Sequence, residues 1–198
     1  GQQEGARAAL RTAARRLPRV PHYLTRKRIK QPMLSPFGMT PGGEDQAYQT
    51  VQDESWLIGT SEVALTAYHM GEILPEDALP VRLVGSSSCY RREAGAAGKD
   101  TRGLYRIHQF QKVEQVVVCR NDEEESRRWH RAILQNAEEV MQALELPYRV
   151  VNVCDGDLGR GQVQKFDIEA WMPSRESFGE THSASRFHEF QSRRLNLR

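Results

Sequence analysis

Between residues 90 and 114 the chain reads YRREAGAAGKDTRGLYRIHQFQKVE, a stretch with four arginines, two lysines and two glutamates. Fixed positive charge at that density, set among small residues, suits a cradle for a polyphosphate. Tyr90-Arg91-Arg92-Glu93 alternates like a strand, which sends Arg91 and Glu93 to one face and Arg92 to the other. A guanidinium beside a carboxylate can grip a phosphate oxygen while the acid accepts from a purine amino group. Residues 95–98, Gly-Ala-Ala-Gly, read as a hairpin connection that lets a large ligand come close. Arg106, His108 and Phe110 resume the alternation on a common side, so the whole reads as a basic, aromatic-bearing antiparallel hairpin.

The elements that must position this hairpin can be read on either side of it. Strands are expected at 47–51 and 55–59, then a helix over 61–69 capped by Thr60 or Ser61. A strand over 81–90 leads into the hairpin, and 113–119, with its run Val116-Val117-Val118, extends the return arm. From 122 to 144, Trp129, Ile133, Leu134, Ala137, Val140, Met141 and Leu144 repeat at helical spacing, the pattern of a long helix packed on a sheet. Further strands fall at 148–153, 164–171 and 177–183. Strands joined mostly by hairpins, with few helices between, predict an α+β fold built on an antiparallel sheet. Upstream, Ala8, Leu10, Ala13, Ala14 and Leu17 predict an amphipathic helix over 5–17, ended by Pro18, and 32–43 reads as a Pro- and Gly-rich loop.

Composition narrows the function classes. At 198 residues the chain fits one domain with a sizeable core. A net charge of +2 gives no overall polybasic character, so any hold on nucleic acid must come from local patches such as Arg91 to Arg106. Cys89, Cys119 and Cys154 stand far apart without metal-ligand spacing, which argues for buried free thiols in a reducing compartment and against zinc or a disulfide framework. No apolar run approaches the roughly 18 residues that a membrane span needs, and no signal-peptide stretch opens the sequence.

The string REAG, then KDTRGLYR, then HQFQKVE resembles motif 2 of class II aminoacyl-tRNA synthetases, in the form found in seryl-tRNA synthetases. Thr60-Ser61-Glu62, within LIGTSEVALTAYH, is similar to that family's serine-binding loop. Glu180-Thr181-His182-Ser183, followed by FQSRRLNLR, is similar to its ATP and magnesium strand. The three segments occur in family order, and the resemblance runs from about residue 38 to 198. Residues 1–37 loosely resemble the motif 1 helix and linker that form the family's dimer interface.

The resemblance implies a serine–tRNA ligase, with ATP-dependent formation of seryl-adenylate and transfer to tRNA(Ser), and an antiparallel class II sheet flanked by helices. It implies L-serine, ATP and tRNA(Ser) as partners, Mg2+ as cofactor, a homodimer in the full-length protein, a cytoplasmic setting and no membrane. In that reading Arg91 bridges the α-phosphate and the serine carboxylate, and Arg106 grips the terminal phosphates. Phe110 stacks on adenine and Glu93 reads its amino group, with Arg92, Ile107, Thr181 and His182 completing the ATP site. Glu114 takes the serine ammonium, Thr60, Ser61 and Glu62 close around the small side chain, and Glu180 and Ser183 hold the magnesium. His108 and His182 are assigned structural hydrogen bonds, because a carboxylate nucleophile needs no base at neutral pH.

The chain departs from the family pattern in two places. The coiled-coil arm that grips the tRNA is not found, and the sequence stops at Arg198 before motif 3, which completes the ATP and serine pockets. The segment alone is therefore expected to be inactive. It reads as a single catalytic-core fragment over 38–198, with two alternatives. One is a non-charging paralogue acting as a binding or regulatory module. The other is a ligase loading a small amino acid onto a carrier protein, which the absence of a cysteine and metal-ligand cluster around Thr60, Glu114 and Glu180 disfavours.

Overall fold

The computed structural model describes residues 28–30, 44–52, 55–94 and 103–198. The expected helix over 5–17, the loop over 32–43 and the connection at 95–98 lie outside the described residues. The elements in chain order are β1 (Arg28–Lys30), β2 (Gln49–Thr50), β3 (Ser55–Leu57), α1 (Glu62–Thr66), β4 (Val81–Tyr90), β5 (Gln109–Val118), α2 (Glu123–Ala143), β6 (Tyr148–Asn152), β7 (Gln164–Met172), β8 (Ser177–Arg186) and α3 (Phe190–Leu195). All strand pairing is antiparallel, in three sheets of order β1-β3-β2, β4-β5 and β6-β7-β8. The α+β architecture is thus the expected one, and the short strand β1 is an addition that its basic, unpatterned sequence did not announce.

Helix α2 bridges the β4-β5 and β6-β7-β8 sheets. Asp122 caps it by accepting from the Glu125 amide at 2.8 Å, and Glu123, Glu124 and Glu125 lie in the first turn, where the helix dipole favours acids. Met141, with Leu134 and Ala137, packs on Ile168, Ala170 and Tyr148 of the β6-β7-β8 sheet. Full burial of a side chain such as Ile168 contributes roughly 1.5–3 kcal/mol. Two buried polar residues on the helix do the rest. His130 Nε2 meets the Ala184 carbonyl of β8 at 2.9 Å, and Asn136 Nδ2 donates to Gln115 Oε1 of β5 at 2.7 Å. Gln115 in turn donates to the Ile133 carbonyl at 3.3 Å. Burial pushes the His130 ring below its usual range, so it sits neutral against that carbonyl and stacks on Phe166 at 5.0 Å. Leu144, expected in the apolar stripe, is exposed at the helix C-cap.

A second core of Trp56, Ile58, Val63, Leu195 and Leu197 joins β3, α1 and α3. It fixes the loop over 59–61 from beneath. Among the thiols, Cys89 is buried, Cys119 half-buried and Cys154 exposed, so the expectation of buried cysteines holds fully for the first alone.

Candidate active site

On β5 the strand period places Phe110, Lys112 and Glu114 on one face and Gln115 on the other, toward α2. The first face meets the loop before α1. Thr60 Oγ1 donates to Glu114 Oε2 at 2.8 Å, and Lys112 Nζ reaches both that hydroxyl and the same carboxylate oxygen at 2.8 Å. The Glu62 amide also donates to Thr60 Oγ1, at 3.2 Å. Ser61 stands at the N-cap position without a side-chain cap bond, and Thr60, one residue earlier, takes the first helical amide instead. Ser61 is wholly buried, its hydroxyl finds no partner among the described residues, and its side chain lines neither lobe of the cleft described below. Lys112 was missed by the sequence reading, although its i, i+2, i+4 spacing with Phe110 and Glu114 was a legible signal.

Arg91 lies past the end of β4. Its Nε donates to the Gly59 carbonyl at 3.3 Å and its guanidinium stands over the Phe110 ring, 5.3 Å from the centroid. The predicted strand through Arg91, Arg92 and Glu93 is not formed. The pairing runs one step further, with Arg91 N donating to His108 O at 3.0 Å, and then Glu93 takes φ 53°, a left-handed conformation that a ladder cannot accommodate. Arg106, Ile107 and His108 likewise precede β5 instead of extending it. Glu93 and Arg106 bind each other, Nη1 to Oε2 at 3.1 Å, a contact that uses one nitrogen of the guanidinium and one oxygen of the carboxylate. Arg92 is exposed and outside the cleft, while Ile107 lines it. His108 Nδ1 sits 3.1 Å from the Tyr48 hydroxyl and 3.2 Å from the Arg91 carbonyl, consistent with a structural role.

The third segment comes from β8. Residues three apart on a regular strand face opposite ways, yet here Asp167 pairs with Ser183 and Glu169 with Glu180, across an irregularity at Ile168/Glu169. Thr181 is the extra residue of a bulge, and Glu180 and Ser183 consequently share a face with Asp167. Thr181 Oγ1 donates to the Ile168 carbonyl at 3.1 Å and accepts from His182 Nδ1 at 2.9 Å, which pins the bulge. Burial lowers the His182 pKa and keeps the ring neutral. Tyr105, also missed, docks the hairpin to this strand by donating to the Glu180 carbonyl at 2.8 Å.

These parts surround one cleft between β5 and β8, whose main lobe of about 790 Å³ is lined by Thr60, Arg91, Arg106, Phe110, Glu114 and Glu180 among others. A second lobe of about 610 Å³ adds Glu62 and Gln191. Burial, reinforced by the Glu114 charge, holds the Glu62 carboxyl above the usual range against the pull of Gln191 and Lys112. Desolvation and then Asp167 raise Glu180, which Lys165 and Arg91 partly offset. Guanidinium, ammonium, carboxylate and aromatic face are all presented to the same volume, a set that can align two anionic reactants.

The chain shares its fold with a seryl-tRNA synthetase from Pyrococcus horikoshii complexed with ATP, at TM-score 0.89 and 43% identity over 100% of this chain and 44% of that one. It is equally close to a cytoplasmic serine–tRNA ligase from Naegleria fowleri in complex with AMP, at TM-score 0.90 and 32% identity over 99% of this chain and 46% of that one. A serine–tRNA ligase of Deinococcus radiodurans is 48% identical over 170 residues, 86% of this chain. That of Thermococcus sibiricus is 49% identical over 182 residues, 92% of this chain. The chain spans only 40% and 39% of the length of these two relatives. Residues 46–198, from the segment before β2 through α3 and so across every part of the cleft, match the tRNA synthetase class II core domain (G, H, P, S and T), and the chain belongs to that family.

Proposed function

We propose that this chain is part of the catalytic core of a serine–tRNA ligase, which activates L-serine with ATP and transfers it to tRNA(Ser). The observation that carries the proposal is the convergence of Thr60, Lys112 and Glu114 with Arg91, Phe110, Glu180 and Ser183 on one cleft. Arg91 aligns the serine carboxylate with the α-phosphate and cancels charge on both, its planar fork suited to two oxyanions. Arg106 takes the terminal phosphates, and Glu93 accepts from the adenine amino group. Phe110 supplies the stacking face.

The amino-acid side of the cleft is built for a small hydroxyl-bearing ammonium. Glu62 and Glu114 bring two carboxylates against the one ammonium of Lys112. Thr60 holds Glu114 in place, and a substrate hydroxyl that satisfies these polar groups is favoured over a methyl that leaves them unpaired.

Glu180 and Ser183 fit a magnesium ion. Both donors are oxygen, the bulge turns them to the same face, and Asp167 Oδ1 beside them is buried and unpartnered among the described residues. No group of three or more His, Cys, Asp and Glu among the described residues could hold a metal, which agrees with an ion that completes its shell from substrate phosphates and water. Bound there, magnesium supplies charge neutralisation of the phosphates. The same reading carries a homodimer in the full-length protein and a role in cytoplasmic translation. Among the described residues no helix is long and apolar enough to cross a membrane.

Serine-dependent ATP–pyrophosphate exchange and charging of tRNA by the full-length protein test the proposal. Serine should support exchange far better than alanine or threonine. Equal exchange with alanine would instead favour the carrier-protein ligase, and binding of ATP without any exchange would favour the non-charging paralogue.

A further inference from the structure

Helix α3 is short and firmly seated. Leu195 and, just beyond the helix, Leu197 are buried in the core that also holds Val63 of α1 and Ile58. That seating carries Gln191 across to the start of α1, where its Nε2 donates to Glu62 Oε1 at 2.7 Å, a contact between residues 129 apart in sequence. Both side chains line the second lobe of the cleft.

The chemistry of this contact is specific. Glu62 and Glu114 are like charges near one another, and the cation close by, Lys112, is engaged with Glu114 and Thr60. An arginine or lysine at position 191 would neutralise Glu62 and leave no net negative charge for a cationic ligand. An amide donor fixes the direction of the carboxylate and leaves its charge in place. We propose that Gln191 is a positioning residue for amino-acid recognition, holding the Glu62 carboxylate in the orientation that meets the bound serine. This rests on the reading that Thr60, Glu62 and Glu114 form the serine pocket.

The test is a double-mutant cycle in the full-length protein, read by serine-dependent ATP–pyrophosphate exchange. Gln191→Met keeps the length of the side chain and removes the donor. It should raise the serine KM about tenfold, the scale of one hydrogen bond to a charged group, and leave the ATP KM unchanged. Added to Glu62→Met, which leaves no acceptor for the amide, it should cause no further change, because the two residues act through one contact. Gln191→Glu, which sets a second carboxylate against Glu62, should raise the serine KM further, and it serves as the readout should Gln191→Met fail to fold by thermal unfolding. Serine and ATP KM rising together, or a Gln191→Met effect undiminished in the Glu62→Met background, would make Gln191 a structural residue and overturn the assignment. An active parent with an unaffected Gln191→Met defeats the assignment alone. A parent without serine-dependent exchange defeats the functional reading and the assignment with it.

Discussion

Thr60→Val replaces a hydroxyl by a methyl of nearly the same shape at the node of the amino-acid pocket. Thr60 is 5% exposed, and its oxygen donates to Glu114 at 2.8 Å while accepting from Lys112 at 2.8 Å and from the Glu62 amide at 3.2 Å. Valine abolishes all three. Lys112 and Glu114 keep their direct contact at 2.8 Å, so the ion pair survives and the loss falls mainly on the Glu62 amide and on one lone pair of Glu114. An unsatisfied buried donor costs roughly 1–3 kcal/mol, so a loss near 2 kcal/mol is expected. For a chain of this size that lowers Tm by about 4–8 °C. Urea unfolding with an unchanged m-value would measure it. Thr60→Ser is the control, since it keeps the hydroxyl and loses one methyl, at about 1 kcal/mol. The serine KM of the full-length protein should rise with valine and not with serine at this position. Equal destabilisation by the two substitutions, or a valine variant within about 0.5 kcal/mol of the parent, would refute the node and leave Thr60 as a packing residue.

Arg91→Ala should lower serine-dependent exchange by about 10²- to 10³-fold with the fold intact, as loss of a charge-assisted donor at a developing charge does; normal exchange would remove Arg91 from the reaction. Arg186 first, then His188, hold the Glu123 carboxyl down to about 2 from an ordinary 4.5. A carboxyl lowered by folding stabilises the fold above about pH 4.5 and loses that contribution as pH falls toward 2. Stability curves of the parent and Glu123→Gln should therefore diverge at neutral pH and converge near pH 2, with a smaller gap at high salt because Glu123 is half exposed. Parallel curves across that range would show that the cluster contributes nothing pH-dependent.

The long periodic elements were legible in the sequence because burial on one face leaves a repeating mark. Helix α2 was placed within a residue at each end, and its Asp122 cap is a local chemical preference. Phe110 was placed by the strand alternation with Arg106 and His108, whereas Glu114 came from the resemblance of HQFQKVE to motif 2. The ends of the hairpin were not legible. Nothing in the alternation of Arg91-Arg92-Glu93 reveals that Glu93 turns left-handed, since a period of two marks the faces of a strand and not where its ladder stops. The Glu93–Arg106 pair was invisible for the same reason, as each residue was assigned a ligand and neither was assigned the other. Ser61 was named from the resemblance of Thr60-Ser61-Glu62 to the serine-binding loop, and its burial beneath the turn before α1 is a property that resemblance does not carry. Gln191 lies outside every binding segment, and only the fold brings it to Glu62.

The bulge at Thr181 makes the cleft unequally tolerant of changes in chain length. With one residue absorbed, a carboxylate and a hydroxyl three apart project together; in a regular strand the same projection is achieved by residues two apart. A chain shortened by Thr181 could thus keep Glu180 and Ser183 on the cleft side by relaxing to an ordinary ladder, giving up the contact with the Ile168 carbonyl. A chain lengthened by one residue at that point sets the two four apart, again on one face. A regular ladder then carries Glu180 on to face Trp171 instead of Glu169, so carboxylate and hydroxyl stay on the cleft side but are drawn apart along the strand.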